Sequence, residues 1–284
     1  MSDVTIDKEA LRREVDEALH GQKKEPVAPS GFELNANSRV KHVIGVVSGK
    51  GGVGKSLVAG ILATNLMRAG KRVGILDGDI TGPSIPKMFG LSGIHAHGEN
   101  DQLVPVSEAR GIKIMSANLV LQNETDPVLW RGPVVAGAIQ QFYGQCNWGE
   151  LDYLLIDMPP GTGDVALTVF QSLPVEGIVI VSSPQDLVQM VVGKAVKMAN
   201  MMGIRVLGLV ENMGYVQCPH CNQKIEPFGP SRLEDTAASF GISALGQLPI
   251  DPVFSKLSDE GTFSTDLPHD LIPHATECVL DLDR

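Results

Sequence analysis

The sequence predicts an α/β fold with a mostly parallel central sheet and helices on both faces. Short runs rich in Val, Ile and Leu alternate along the chain with longer helical stretches, which is the pattern of repeated βαβ units. The 284 residues include 31 glycines but only 5% aromatic residues, a balance less typical of a β-sandwich. With 43% apolar residues, the chain can also fill a large core.

The predicted elements follow one another as strand, helix and strand from residue 40 onward. Strands are predicted at residues 40–48, 71–77, 151–159, 176–184, 205–213 and 243–249. The clearest helical stretches are residues 56–70 and 186–203. Right-handed crossovers between parallel strands bring the carboxyl ends of the strands to one edge of the sheet, where we expect the functional residues.

The domain is predicted to cover residues 39–284, preceded by an appendage at residues 1–38. Apolar residues at every fourth position predict a short amphipathic helix over residues 7–20. The stretch that follows is rich in Pro, Gly, Ser and charge, which indicates a flexible linker.

The net charge argues against several classes of partner. Lys and Arg number 23 against 33 Asp and Glu, a formal net charge of −10, which does not suit a nucleic-acid coat or a basic membrane-surface protein. No apolar run approaches the roughly 18 residues of a membrane span. The first residues do not resemble a signal or transit peptide, so a cytoplasmic location is expected.

A glycine-rich loop joins the first predicted strand to the first predicted helix and fits the pattern G-x-x-x-x-G-K-[ST]. Glycines suit this loop because successive backbone N–H groups must turn inward around phosphate oxygens. Lys55 is predicted to contact the β- and γ-phosphates, and Ser56 to ligate Mg²⁺. The predicted nucleotide-binding residues of the loop are Gly49, Lys50, Gly51, Gly52, Val53, Gly54, Lys55 and Ser56.

Carboxylates end two of the predicted strands beside this loop. Hard carboxylate oxygens suit Mg²⁺, and phosphoryl transfer needs mainly positioning and charge neutralisation. We assign Asp157 to the water shell of Mg²⁺, Asp77 to a supporting place in that shell, and Asp79 to orienting the attacking water. The predicted activity is therefore ATP hydrolysis, with Lys50, Lys55 and Asp79 as catalytic residues.

A close pair of cysteines, Cys218 and Cys221, follows the strand predicted to end at Met213. The pair supplies half of a four-thiolate site for an iron–sulfur cluster or zinc, and a two-fold dimer would complete it. A thioredoxin-type redox pair is less favoured, because that motif is expected near a helix start after an early strand. Cys146 and Cys278 are expected to be small buried hydrophobes.

The lysine near the start of the loop, Lys50, resembles the signature lysine of the deviant Walker A class of ATPases. That class includes the Min and Par positioning ATPases and the nitrogenase iron protein. The resemblance implies that Lys50 crosses a dimer interface to the nucleotide of the partner.

The motifs GKGGVGKS, DGDITGPSIPKMFG, DMPPGTGD, ENM and CPHC, in this order, resemble the Mrp/ApbC family of iron–sulfur carrier ATPases. The resemblance implies a homodimer with a bridging 4Fe-4S cluster, whose loading or transfer to apo-proteins is tied to ATP hydrolysis. It also implies that Asn212 contacts adenine and that the loop containing Pro249 and Asp251 closes over the base. Cytosolic scaffold relatives carry additional N-terminal cysteines, whereas this chain has none before Cys146.

Two other functions remain open at this point. A Min- or Par-type positioning ATPase would use the same loop, but it usually needs a basic amphipathic tail or a basic surface, and this chain ends in the acidic ECVLDLDR. A zinc-bridged ATPase adaptor would use the same cysteines only to hold two subunits together.

Overall fold

The computed structural model describes residues 33–80, 82–99, 102–121, 132–184, 188–269 and 271–284. The helix predicted over residues 7–20 and most of the predicted linker lie outside these ranges, so the division at residue 39 stays a prediction. The strands are β1 (Arg39–Ser48), β2 (Val73–Asp77), β3 (Gly98–Glu99), β4 (Gln102–Leu103), β5 (Val106–Ser107), β6 (Lys113–Met115), β7 (Glu150–Asp157), β8 (Gly177–Ser182), β9 (Arg205–Gln217), β10 (Lys224–Ile225) and β11 (Ala244–Pro249).

Helices connect most of these strands. They are α1 (Lys55–Arg68), α2 (Ile85–Met88), α3 (Gly132–Gln145), α4 (Asp164–Ser172), α5 (Val188–Met201), α6 (Leu233–Phe240), α7 (Pro252–Glu260), α8 (Phe263–Asp266) and α9 (Pro273–Leu280), with 3₁₀ turns at Ala117–Leu119 and Asp281–Asp283. In the described part of the chain, none of them is long and apolar enough to cross a membrane.

The main sheet has the strand order β10-β9-β8-β1-β7-β2-β6-β5, and β11 also pairs with β9. Its pairs are parallel except at the two ends, where β5 runs antiparallel to β6 and β10 antiparallel to β9. Strand β1 lies between β7 and β8 and is buried from His42 to Ser48. A continuous apolar run of this kind is typical of a parallel strand covered on both faces.

The core divides into two layers, one on each face of the sheet. Successive side chains of a strand point to opposite faces, so Ile44 and Val46 of β1 pack with α1, whereas Val43 and Val47 pack with α3 and α5. The predicted fold class, a mostly parallel sheet with helices on both faces, is confirmed.

The C-terminal turn is tied to the edge of the sheet opposite the glycine-rich loop. The Asp283 carboxylate pairs with Lys41 and, at 2.8 Å, with Lys71, and it accepts a hydrogen bond of 2.8 Å from the buried Tyr153 hydroxyl. His42 Nε2 lies 3.1 Å from the same carboxylate. These partners, Lys41 foremost, hold the pKa of Asp283 well below its usual range.

One predicted boundary is wrong. The strand predicted to end at Met213 continues to Gln217, because its last residues pair with β10 and its middle pairs with β11. The cysteine pair therefore lies at the end of a longer strand, in a hairpin between β9 and β10.

Candidate functional site

The glycine-rich loop lies where the sequence predicts it, between the end of β1 and the start of α1 at Lys55. Gly52 and Gly54 have φ angles of 78° and 85°, a region that residues with a Cβ rarely adopt. A Cβ on Gly49 would lie 2.0 Å from a side-chain methyl carbon of Val191. Both backbone conformation and close approach therefore require glycine in this loop.

Lys55 and Ser56, at the start of α1, meet the carboxylate at the end of β7. Lys55 Nζ donates to Asp157 Oδ1 at 2.5 Å, and Ser56 Oγ donates to Asp157 Oδ2 at 2.5 Å. Asp157 is fully buried and Lys55 is 6% exposed. Burial raises the pKa of Asp157, and the Lys55 ammonium and the Ser56 hydroxyl oppose that shift. The structure thus joins three predicted site residues in one cluster.

The two other predicted carboxylates lie beside this cluster but in different surroundings. Asp79 is partly exposed, with Oδ2 3.9 Å from Lys55 Nζ. Asp77 is fully buried, and its carboxylate accepts hydrogen bonds from the backbone N–H groups of Asp79 (3.2 Å) and Ile85 (3.4 Å) and from the Ser116 hydroxyl (3.2 Å). Burial, and then the nearby charge of Asp157, raise the pKa of Asp77 to about 8.

A cavity of about 330 Å³ opens over the loop. Its walls combine loop residues, the Asp79 carboxylate and apolar side chains from neighbouring segments. They are Ser48, Gly51, Gly52, Gly54, Lys55, Ser56, Leu57, Asp79, Ser84, Met88, Pro160 and Met213. Polar groups that could contact phosphate therefore share one space with apolar groups that could contact a base or ribose.

Asn212 contacts the loop itself. Its amide nitrogen donates to the Val53 carbonyl at 3.0 Å, and a Cβ on Gly54 would lie 2.0 Å from that nitrogen. The side chain is 2% exposed, and within the described chain its Oδ1 has no hydrogen-bond partner. An adenine contact for Asn212 stays a prediction, as does the role of Pro249 and Asp251. Pro249 ends β11, and Asp251 caps α7 by accepting from Val253 N at 2.9 Å.

The predicted cysteine pair forms a tight turn at the tip of the β9–β10 hairpin. Asn222 N donates to the Cys218 carbonyl at 2.9 Å, and Cys218 N donates to the Gln223 carbonyl at 3.0 Å. Backbone N–H groups of His220 and Cys221 point at the Cys218 sulfur, and they lower the pKa of that thiol, helped by the Cys221 thiol. Cys218 is half-buried and Cys221 is exposed. The turn thus stabilises a thiolate at an accessible position.

The other two cysteines are separated from this turn. Cys146 is fully buried in the core layer on one face of the sheet, where burial raises the pKa of its thiol to about 12. Cys278 packs against the core layer on the opposite face, and burial also raises its pKa. Across the described ranges, no group of three or more His, Cys, Asp or Glu side chains could hold a metal ion.

Among the residues that border the site and that sequence reasoning did not assign to it, Ser116 and Met213 bear most directly on its geometry. Ser116, which donates to Asp77, directly follows β6, so the rule that strand ends share one edge could have found it. Met213 lines the cavity with a φ of 61°, and nothing in the sequence pattern signals that conformation.

Comparisons with known proteins agree with this geometry. A family model described as the NUBPL iron-transfer P-loop NTPase matches residues 39–279. An iron-sulfur cluster carrier protein of Clostridium perfringens is 48% identical over 229 residues, which cover 78% of this chain and 80% of that protein.

Solved structures resemble the chain as well. A nucleotide-binding protein from Archaeoglobus fulgidus, in complex with ADP, is similar at a TM-score of 0.72 and 44% identity. The match covers 81% of this chain and 90% of the Archaeoglobus chain. The cell division ATPase MinD of Pyrococcus furiosus is similar at a TM-score of 0.62 and 20% identity. The match covers 85% of this chain and 99% of MinD, and it shows the fold alone. With a family match that extends over most of its length and a relative so similar in sequence, the chain belongs to the NUBPL-type iron-transfer P-loop NTPases.

Proposed function

We propose that this chain is an ATP-dependent iron–sulfur cluster carrier. It binds a bridging 4Fe-4S cluster between two copies of itself, hydrolyses ATP and transfers the cluster to apo-proteins. The observation that carries the proposal is that β9 borders the cavity over the loop at Met213 and continues into the hairpin that presents Cys218 and Cys221. The relatives named iron-sulfur cluster carrier protein support the cargo, and the net charge of −10 favours protein acceptors over nucleic acid or a membrane surface.

ATP would bind in the cavity over the loop, with Lys55 neutralising the β- and γ-phosphates. Ser56 Oγ and Asp157 Oδ2 are hard oxygen donors 2.5 Å apart, so this pair fits the chemistry of Mg²⁺. We propose that Ser56 ligates the ion and that Asp157 holds its water shell. Bound Mg²⁺ supplies positive charge that stabilises the phosphates during transfer.

Hydrolysis would depend on residues that orient water and complete the charge. Asp79 lines the cavity close to Lys55, a place from which its carboxylate can orient the attacking water. The three hydrogen bonds to the buried Asp77 favour a positioning role for it, in which it holds the backbone of Asp79, over its predicted place in the Mg²⁺ shell. Lys50 is proposed to reach the nucleotide of the partner copy.

The cluster would be held by thiolates from two copies. The thiolate is the form of cysteine that binds metal, and the backbone donors around Cys218 favour it. Two thiols fill half of the four positions that a 4Fe-4S cluster requires. Because the described part of the chain offers no third ligand beside them, the same pair from a second copy, related by a two-fold axis, is the simplest completion.

Anaerobic reconstitution with iron and sulfide tests the cargo. We expect about four irons per dimer, with broad visible absorption, in the wild-type protein. The double variant Cys218→Ala/Cys221→Ala should lose both iron and dimer, whereas the control Cys278→Ala should keep them. Bound iron that survives in the double variant, or a wild-type protein that takes up only zinc, would overturn the cluster assignment.

Steady-state phosphate release tests the ATPase activity. Lys55→Ala removes a charge aimed at the phosphates, so the rate should fall by about 100-fold or more. Lys256→Ala is a matched control, because Lys256 is an exposed helix lysine that pairs only loosely with Glu260 at 3.9 Å. Equal rates for the two variants would refute the role of Lys55.

A further inference from the structure

Strand β9 is irregular where it passes the nucleotide cavity. Glu211 pairs with Gln247 and Tyr215 with Pro249, and the register shifts between these two rungs, so β9 carries extra residues there. At the centre of this bulge, Met213 has a φ of 61°, the left-handed region that costs a residue with a Cβ free energy. We call residues 212–214 the β9 bulge.

Each residue of the β9 bulge borders a different neighbouring feature. Asn212 donates to the Val53 carbonyl of the loop at 3.0 Å, and Met213 lines the cavity. Gly214 lies so close to Gln247 that a Cβ there would be 2.2 Å from its amide nitrogen. The bulge is therefore held by the loop on one side and by β11 on the other.

Beyond the bulge, β9 leads to the cysteine turn with a changed set of partners. Ile250 N donates to the Tyr215 carbonyl at 2.7 Å, and Lys224 of β10 lies 4.1 Å above the Tyr215 ring. Cys218 follows, at most roughly 20 Å from Asn212, the length that six residues of fully regular strand would span at about 3.3 Å each. The hairpin is thus attached to the rest of the sheet through the bulge and the short pairing with β11.

We propose that the β9 bulge is a joint through which the nucleotide sets the position of the cysteine turn, with Met213 as its positioning residue. This inference rests on the proposed function, since it needs a nucleotide in the cavity. A ligand shifts a conformational equilibrium only by contacting the two states differently. Met213 is placed to provide such a difference, because it lines the cavity and its backbone forms the left-handed turn of the strand.

The test measures the rate at which iodoacetamide modifies Cys218 and Cys221 in the metal-free, full-length protein, with and without saturating Mg-ADP. Binding of Mg-ADP is first measured for each variant by calorimetry, so that every comparison is made at equal occupancy. In the wild type, we expect Mg-ADP to change the rate by about fivefold or more, the lower end of typical coupling between sites. Met213→Gly removes both the side chain and the cost of the left-handed backbone, so the change should fall below about twofold. Met213→Leu keeps an apolar side chain of similar size and the left-handed backbone of a residue with a Cβ, so it should retain the coupling.

Several results would refute the proposal that the β9 bulge is a joint. If Mg-ADP binds to the wild type but leaves the modification rate unchanged, the coupling is absent even though the nucleotide part of the proposed function stands. If Met213→Gly couples as strongly as the wild type, the signal does not pass through Met213. If Mg-ADP does not bind at all, the proposed function and the joint fail together. Cys146, which is fully buried, is the internal control and should stay unmodified throughout.

Discussion

The contact between Asn212 and the glycine-rich loop allows a quantitative test with two glycines of the same loop. Gly52 and Gly54 both have left-handed backbones, with φ angles of 78° and 85°. An alanine at either position costs about 1–2 kcal/mol for that conformation alone. A Cβ on Gly52 would meet nothing within 4 Å, whereas on Gly54 it would lie 2.0 Å from the Asn212 amide nitrogen.

Gly54→Ala should therefore destabilise the protein more than Gly52→Ala. Displacing Asn212 breaks its hydrogen bond to Val53 and leaves two buried polar groups unpaired, which adds about 1–3 kcal/mol. Urea unfolding, followed by far-ultraviolet circular dichroism, measures the difference. The free energies of unfolding are obtained from the urea midpoints, using one value for the dependence of the free energy on urea concentration.

The Asn212→Ala background separates this contact from other effects. Without the amide nitrogen, the nearest remaining atom of residue 212 is its Cβ, 3.9 Å from the new methyl group. Gly54→Ala should then cost the same as Gly52→Ala to within about 0.5 kcal/mol, the usual limit of additivity. An extra cost that persists in this background, or that is missing in the wild type, would refute the reasoning.

Three further experiments test other parts of the molecule. Asp283→Asn should lower the free energy of unfolding by about 1–3 kcal/mol at neutral pH. Because its partners lower the pKa of Asp283 in the folded state, the difference in free energy of unfolding between wild type and variant should be complete above about pH 5. It should shrink as the pH falls below about 4. A pH series of unfolding midpoints measures this, and a difference that stays constant would contradict the prediction. In the metal-free protein, iodoacetamide should modify Cys218 and leave the buried Cys146 intact, as measured by peptide mass spectrometry. Equal rates would contradict the difference in accessibility and pKa between the two thiols. If Lys50 crosses to the partner, mixing the inactive variants Lys50→Ala and Lys55→Ala should restore about a quarter of the wild-type ATPase rate, since half of randomly assorted dimers are mixed and each has one intact site. A mixture as inactive as its components would place Lys50 in its own subunit's site.

The central strands could be predicted from the sequence because they are buried on both faces and appear as continuous apolar runs. β1, β7 and β8 are of this kind, and they lie where the sequence predicts them. The family resemblance is confirmed by the family model, which matches residues 39–279 and so covers these strands and the loop between them. The end of β9 was predicted too early, because beyond Met213 burial decreases from Gly214 to the exposed Gln217. The last residues are part of the strand through their pairing with β10, which no local pattern signals.

The site could be predicted up to the level of elements but not of side-chain orientation. The spacing of the loop and the rule of shared strand ends brought Lys55, Asp157 and Asp79 together correctly. They could not show that Asp77 points into the protein, since a side chain at a strand end can face either way. The contact of Asn212 with Val53 joins residues far apart in the chain, and it depends on the bulge in β9.

The place of the cysteine turn follows from the direction of the strands. β9 runs parallel to β8, which runs parallel to β1, so the carboxyl end of β9 lies at the edge of the sheet where β1 enters the glycine-rich loop. Because β9 continues past Asn212 to Gln217, the hairpin projects from the nucleotide edge of the sheet. If a two-fold axis joined the cysteine turns of two copies, the nucleotide edge of each copy would lie on the side that faces its partner. One dimer geometry could therefore serve both the bridging thiolates and a Lys50 that reaches the partner's nucleotide, whereas a hairpin at the opposite edge would require two different interfaces.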